Sequence, residues 1–323
     1  MRERLAVAGS LCAMAALIFA SDQVISSCRY ALSLCCELII PSLFPFFLIS
    51  ILMNRLGLPG MLGHLTAPLS RLLFGVSGAG GTAFVMGLCG GYPLGAAYIA
   101  DMADSGSISR EEGERLLGFC NNSGPAFLIG AIGTGLFSSV KAGLYLYMVH
   151  ILAAALTGII LRCLWGSGPG EEALESSGTP PVAFSPAFTE TVKQAVVSVL
   201  NVCGYVICFT VLVGLLDADG FFSLITGHLS WLSGAELHWV RAFLTGILEL
   251  GSGVGQMRGL SLQPINLALA AFIVGWGGIS VHYQTMAQLA GTGLVGKYHF
   301  AGRLMSGSIG ALLAYLGTGL LGM

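Results

Sequence analysis

The chain has 323 residues, of which 55% are hydrophobic and only 9% are charged, and its formal net charge is −2. Soluble domains carry charge on about a quarter of their residues, so this composition excludes a water-exposed globule. The small net charge also excludes an electrostatic footprint for nucleic acid. A mean hydropathy of +0.83 and apolar runs along the whole length predict an all-α polytopic membrane protein whose main partner is the lipid bilayer.

The first apolar run, residues 5–20, follows Arg2 and Arg4 and is predicted to be an uncleaved membrane anchor. Ile18 and Phe19 occupy positions where a signal-peptide cleavage site needs small residues. The two arginines favour a cytoplasmic location for this end of the anchor.

The next two apolar runs differ in length and polarity. Residues 30–53 are long enough to cross a bilayer, and they contain Glu37 inside the span and a kink expected from Pro41 and Pro45. Residues 61–74 are shorter and carry polar and helix-breaking side chains. They are predicted to form an interfacial or re-entrant helix.

Two glycine-rich polar stretches, residues 87–95 and 119–127, interrupt the apolar sequence. Pro93 and Pro125 lack the amide that would close a helical hydrogen bond, so each stretch frees a backbone acceptor. Non-helical backbone is tolerated at membrane depth only where it is buried in protein or lines a wet cavity. Both stretches therefore predict broken helices at a substrate or ion site.

Between these stretches, Ser109 and Glu112 have the spacing of a capping box at the start of a helix. In this motif the serine oxygen accepts from the first-turn amides and the glutamate bonds back to the serine amide. Residues 143–165 follow as a plain apolar span.

A change of composition divides the chain into two membrane parts. Residues 166–190 are rich in glycine, proline, serine and acid and are predicted to be an extramembrane linker. The parts on either side, residues 1–165 and 191–323, have similar segments in the same order at an offset of about 160 residues. They are interpreted as pseudo-symmetric repeats. The matching segments are 30–53 with 192–216, 87–95 with 246–253, and 119–130 with 275–285. We adopt inversion of the second repeat as a hypothesis, because the lysines and arginines are spread too evenly to decide it.

No metal, cofactor or catalytic activity is predicted. The nine cysteines show no zinc-type spacing and are interpreted as buried small hydrophobes. The sequence lacks a His-Glu-x-x-His motif, a Walker motif and paired intramembrane aspartates. Ser123 and His282 are a formal nucleophile and base, but no sequence spacing brings them together.

The first candidate site residues are polar groups within the apolar sequence. Asn121, Asn122 and Ser123 offer adjacent donors and acceptors for a ligand or ion, and their alternative role is hydrogen bonding between helices. Glu249, close to Ser252 in an apolar helix, predicts ligand or proton handling because an intramembrane carboxylate is expensive to bury. The alternative for Glu249 is a salt bridge with Arg241 or Arg258.

The remaining candidates come from both halves. His282 and Gln284 follow a glycine-rich stretch and are predicted either to face the same cavity or to make ordinary interhelical hydrogen bonds. Gly91, Tyr92 and Pro93 form a turn that would bring backbone close to a ligand or let two helices approach.

Several of these motifs together resemble a known family. The first-half strings are Gly91-Tyr-Pro-Leu-Gly-Ala96, Gly106-Ser-Ile-Ser-Arg-Glu-Glu112 and Leu116-Leu-Gly-Phe-Cys-Asn-Asn-Ser-Gly-Pro125. The second-half strings are Leu248-Glu-Leu-Gly-Ser252 and Gly277-Gly-Ile-Ser-Val-His-Tyr-Gln284. In this order they resemble the YlbJ-type sporulation integral membrane proteins of spore-forming bacteria, over nearly the whole chain.

The resemblance implies a nucleoside-recognition or gate domain, a nucleoside-transporter-like core and a role in making heat-resistant spores from a sporulation membrane. By analogy with nucleoside transporters, residues 121–123 would touch ligand or coupling ion and Glu249 would bond a ribose-like hydroxyl. Gly251 and Ser252 depart from the transporter pattern, which has a small-residue and proline run there.

We therefore expect a secondary-type permease for a small polar solute or ion needed for spore maturation. The alternative is a non-transporting membrane scaffold for spore envelope assembly, with other sporulation membrane proteins as its partners. Substitutions at Asn122 or Glu249 that leave the spore phenotype intact would favour the scaffold.

Overall fold

The computed structural model describes residues 2–165, 184–218 and 220–321, and these residues contain no β-strand. The predicted all-α class is confirmed. Residues 166–183 of the predicted linker lie outside the described residues, whereas residues 184–190 already belong to a helix that begins at Phe184.

The helices of the first half are α1 (Arg2–Phe19), α2 (Ser21–Leu34), α3 (Ile40–Arg55), α4 (Leu58–Phe74), α5 (Gly78–Gly90), α6 (Leu94–Asp104), α7 (Arg110–Leu117) and α8 (Val140–Trp165). Two π-helical segments, Cys35–Ile39 and Ala126–Leu136, accompany them. The helices of the second half are α9 (Phe184–Ala218), α10 (Phe221–Ser233), α11 (Leu237–Leu248), α12 (Leu250–Gly255), α13 (Pro264–Trp276), α14 (Gly278–Leu289) and α15 (His299–Leu316), followed by a 3-10 turn (Gly317–Leu321).

Within the described residues, four helical stretches are long and apolar enough to cross a membrane: Ser21–Arg55, Val140–Leu164, Phe184–Ala218 and Pro264–Leu289. The pair Met61–Phe74 and Gly78–Gly90 meets the same test together, with a bend of 93° between its two parts. This bend agrees with a re-entrant or interfacial segment near residues 61–74.

The stretch Ser21–Arg55 remains one helix through Pro41 and Pro45. The π-helical segment Cys35–Ile39 lies directly before Pro41, and the Ile40 amide bonds the Cys35 carbonyl five residues back. A proline cannot donate and its ring crowds the preceding turn, so a locally wider turn accommodates it without ending the helix.

Helix α9 packs along α2 and α3 through one narrow stripe. Small and β-branched side chains recur every three to four residues on this buried face, as expected for a helix with a single protein-facing side. The buried residues are Ala187, Thr191, Ala195, Val199, Val202, Cys203, Val206, Thr210 and Gly214. Leu200, near the middle of α9, is 56% exposed and points away from the protein.

Four short breaks interrupt the helices at the centre of the protein. Helix α5 gives way to α6 at residues 91–93, and α7 is separated from the next π-helical segment by residues 118–125. In the second half, α11 and α12 are separated by Glu249 alone, and α13 and α14 by Gly277. The expectation that Glu249 lies inside a helix is wrong, because its backbone is extended (φ −141°, ψ 119°).

Glycines let the breaks approach each other backbone to backbone in both halves. Gly91 has φ +78°, and a Cβ added there would lie 2.9 Å from the Gly124 nitrogen. Gly278 has φ +75°, and its Cβ would lie 2.8 Å from the Leu250 nitrogen. Only glycine tolerates both this conformation and this contact distance.

One of the two hydrogen bonds of the predicted capping box is present. The Ser109 hydroxyl oxygen accepts from the Glu112 amide at 3.1 Å and caps α7. The Glu112 carboxylate, however, accepts from the Ser77 amide at 2.7 Å instead of bonding back to Ser109. Ser77 is the N-cap of α5, so a buried carboxylate joins the starts of two helices, where the helix dipole favours negative charge.

Candidate functional site

A cavity of about 40 Å³ lies between three of the four breaks and the helix that follows the fourth. Gly91 and Tyr92 border it from the first break, and Ser123 borders it from the second. Glu249 borders it from the third break, and Gln284 from the helix after the fourth. The breaks of both halves therefore share one cavity.

The walls between the breaks are mainly apolar. The helix Ser21–Arg55 contributes Ile39 and Leu43, and α9 contributes Val202 and Val206. Phe127, in the π-helical segment after the second break, completes this lining. A solute in the cavity would therefore meet a few polar groups set in an apolar surround, which is the usual composition of a small-molecule site.

The Glu249 carboxylate is 1% exposed and caps α12. It accepts from the Gly251 amide at 2.9 Å and from the Ser252 amide, and the Ser280 hydroxyl lies 3.5 Å away. Among the described residues no cationic nitrogen lies within 4.0 Å of it. The alternative salt bridge with Arg241 is wrong, because Arg241 pairs with Asp217 at 2.5 Å.

Gln284 presents an unused acceptor to the same cavity. Its side chain is 4% exposed, and its Oε1 atom has no hydrogen-bond partner among the described residues. A buried amide oxygen without a partner costs about 1–3 kcal/mol. Such an orphan in the wall of a cavity is the pattern expected of a group whose partner is a ligand or water.

Tyr92 links the first break to the second half. Its ring borders the cavity, and its hydroxyl donates to the Val274 carbonyl at 3.0 Å, near the end of α13. The hydroxyl also accepts from Arg303 Nη1 at 3.2 Å. Pro93, the next residue, is the N-cap of α6 and does not border the cavity.

The side chains of Asn121 and Asn122 are fully buried and bonded within the protein. Asn121 Oδ1 accepts from the Ala96 amide at 3.2 Å, and its Nδ2 donates to Thr285 Oγ1 at 2.8 Å. Asn122 Nδ2 donates to the Phe119 carbonyl at 2.7 Å. In this conformation both asparagines hold helices together and neither borders the cavity.

The other predicted site residues have separate surroundings. The Ser123 amide donates to His150 Nε2 at 3.0 Å, and Ser123 reaches the cavity wall. The Ser252 hydroxyl pairs with Thr210 Oγ1 at 2.7 Å. His282 packs away from the cavity, with its ring centroid 4.9 Å from that of His299.

Arg303, in α15, is fully buried behind Tyr92. Its guanidinium donates to the Asn121 carbonyl at 2.6 Å, to Asn122 Oδ1 at 3.1 Å and to the Gly118 carbonyl at 3.2 Å. No described carboxylate lies within 4.0 Å of it. Its two terminal nitrogens instead bond acceptors that the break after α7 leaves open, where the helix dipole also favours a cation, whereas its Nε has no partner among the described residues.

The chain is 29% identical over 312 residues to the sporulation integral membrane protein YlbJ of Bacillus subtilis (strain 168). The matched region covers 89% of this chain and 76% of that protein. Together with four or five apolar spans, this similarity decides the class. The chain is a multi-pass integral membrane protein. The similarity supports the YlbJ-type family, whereas no family model matches the chain. No solved structure matches it either.

Arg303 was missed by the sequence analysis of this membrane protein, although the signal was present. It is the one charged residue between Lys297 and Met323. An intramembrane arginine is as expensive to bury as Glu249, so the same argument from burial cost applies to it.

No group of three or more His, Cys, Asp or Glu side chains in the described ranges is placed to hold a metal ion.

Proposed function

We propose that this membrane protein is a permease for a small polar solute or ion needed for spore maturation. The observation that carries the proposal is one cavity bordered by three helix breaks, from both halves, and by the helix after the fourth break. Broken helices leave free amides and carbonyls, and at membrane depth these groups suit a polar ligand.

The chemistry of the cavity favours a solute that donates hydrogen bonds or carries positive charge. The Glu249 carboxylate and the Gln284 amide oxygen are both acceptors on its wall, and neither has a cationic partner within the described residues. The apolar walls would cover the rest of a small organic solute. A ribose-like hydroxyl is one donor of this class, so a nucleoside stays a candidate by analogy only.

We infer that the two halves are repeats of one design. In each half a long helix is followed by a short helix, two broken helices and a second long helix. The order is Ser21–Arg55, α4, the breaks at residues 91–93 and 118–125, then α8. It recurs as α9, α10, the breaks at Glu249 and Gly277, then α15. Paired repeats with a site between them suit alternating access, in which one repeat moves against the other.

The link to sporulation comes from the similarity to a sporulation integral membrane protein. We expect this chain to act in a sporulation membrane as well. A nucleoside-recognition domain and inversion of the second repeat stay predictions.

The proposal is tested by complementing a strain that lacks the gene. We expect Glu249→Gln and Gln284→Leu to lower the yield of heat-resistant spores at normal protein level, because the first removes the charge and one acceptor oxygen and the second removes the amide acceptor. Gln288→Leu is the matched control, since Gln288 lies one turn further along α14 and does not border the cavity.

The scaffold alternative predicts the opposite result for the cavity variants. If both cavity variants are stably expressed and support a normal spore yield, while changes on the exposed loops abolish it, the permease proposal is wrong. The protein would then serve envelope assembly through its surface.

A further inference from the structure

A second recess of about 90 Å³ lies beside the central cavity. It is bordered by Tyr30, Ser33 and Glu37 on the first long helix and by Arg258 after α12. Glu37 bonds only to Ser33, at 2.8 Å, and no salt bridge joins Glu37 to Arg258 in the described parts of the chain. Two exposed opposite charges thus face one recess without pairing.

Glu37 lies too deep in the helix for its charge to face lipid. It is the one charged residue between Arg29 and Arg55, and it stands about 12 Å along the axis from Arg29 at 1.5 Å per residue. The hydrocarbon core is about 30 Å thick, so an exposed carboxylate at this position needs water. The recess beside Glu37 supplies the space for that water.

Three elements lead from the cavity to the recess in the same way. On the first long helix, Ile39 and Leu43 border the cavity, while the recess is bordered by Tyr30, Ser33, Leu34, Glu37 and Leu38. In and around α12 the cavity is bordered by residues 249–251 and the recess by residues 254, 255 and 258. The third element is the π-helical segment Ala126–Leu136, whose beginning borders the cavity and whose end borders the recess.

The partition between the two spaces is thin. Leu34 borders the recess and Gly251 borders the cavity, and a Cβ added at Gly251 would lie 3.4 Å from Leu34 Cδ2. The contact between the Leu34 side chain and Gly251 therefore separates the recess from the cavity at this point. Both π-helical segments flank this passage, and such segments occur often at functional sites.

We propose that the recess is a water-filled inlet by which small polar solutes of either charge reach the central cavity from the Arg29 side of the membrane. Glu37 and Arg258 bind opposite ends of a polar solute at its mouth. Leu34 is the gate to Glu249. The inlet does not depend on the proposed transport, because a hydrated recess also exists in a protein that moves nothing.

The test is the reactivity of single cysteines with membrane-impermeant charged methanethiosulfonates, in the full chain with its natural cysteines replaced. Ser33→Cys probes the inlet and Leu200→Cys, exposed on the outer face of α9, is the lipid-facing control. We expect cationic and anionic reagents to modify Ser33→Cys at least about tenfold faster than Leu200→Cys, since the reactive thiolate forms in water. Equal rates overturn the inlet, and Glu37→Cys replaces Ser33→Cys if that variant does not fold.

A second arm tests the gate and the charges. Leu34→Ala is expected to speed modification of Val206→Cys in the cavity, whereas Leu146→Ala, at another buried leucine on α8, is not. If the two substitutions have equal effects, Leu34 is not the gate between the recess and the cavity.

Arg258→Gln is expected to slow the anionic reagent at Ser33→Cys more than the cationic one, and a reversed preference overturns the role of Arg258. Labelling is read without any cargo, so its outcome is independent of the spore-yield test.

Discussion

Arg303 Nη1 donates a 2.6 Å hydrogen bond to the Asn121 carbonyl, so a charge on α15 satisfies backbone that the second break leaves open. The same nitrogen lies 3.2 Å from the Tyr92 hydroxyl, which belongs to the first break. One buried guanidinium therefore holds both breaks of the first half against the second half. A movement of one half against the other would have to exchange these bonds.

Replacement of Arg303 is expected to destabilise the protein strongly. Arg303→Met leaves the carbonyls of Gly118 and Asn121 buried without donors, and the expected loss is about 3 kcal/mol or more. The measurement is the free energy of unfolding in mixed micelles. Arg71→Met, at an exposed arginine on α4, is the control, and an equal loss in both variants would contradict the role given to Arg303.

The glycine at the first break is expected to be irreplaceable. Gly91→Ala combines positive φ with a 2.9 Å contact to the Gly124 nitrogen, so it should cost more than the strain of φ alone, which is about 1–2 kcal/mol. Gly106→Ala isolates that strain, because Gly106 has φ +72° with open space around it. Similar unfolding free energies for the two variants would show that the backbone contact is unimportant.

The carboxylate of Glu112 is expected to stabilise the start of α5. Glu112→Ala removes the acceptor of the Ser77 amide and should cost about 1–3 kcal/mol. Glu111, its neighbour in the first turn of α7, is exposed, so Glu111→Ala is the matched control. The account of this junction fails if the control loses as much stability as Glu112→Ala.

Gln284 is expected to show opposite effects on stability and function. Gln284→Leu removes an unsatisfied buried acceptor, so the unfolding free energy should stay level or rise by up to about 3 kcal/mol. The spore yield should nevertheless fall, as expected where a site trades stability for activity. A destabilised variant, or a stable one with normal spores, would remove Gln284 from the site.

The sequence predicted the all-α membrane class and the two breaks of the first half because proline and glycine are local signals. Pro93 and Pro125 mark these two breaks in the chain itself, whereas Glu249 was expected inside a helix. Which side chains face the cavity was not predictable in the same way. Asn121 and Asn122 have the chemistry of ligand groups, but α6, α14, α15 and the Phe119 carbonyl supply their partners.

The π-helical segments and the role of Arg303 also required the structure. The segment Cys35–Ile39 is a response to Pro41, and its sequence carries no helix-breaking residue of its own. The partners of Arg303 lie more than 180 residues away along the chain, so no spacing rule relates them. Its burial cost alone was visible in the sequence.

Metabolite and metal profiling of spores measures most directly whether the shared cavity admits a solute. The samples are spores made with the wild-type protein, without the gene, and with Glu249→Gln. We predict that one solute with hydrogen-bond donors or positive charge changes in abundance in both mutant samples and in the same direction. A wild-type profile for Glu249→Gln, together with a spore defect in the deletion strain alone, would contradict the permease proposal.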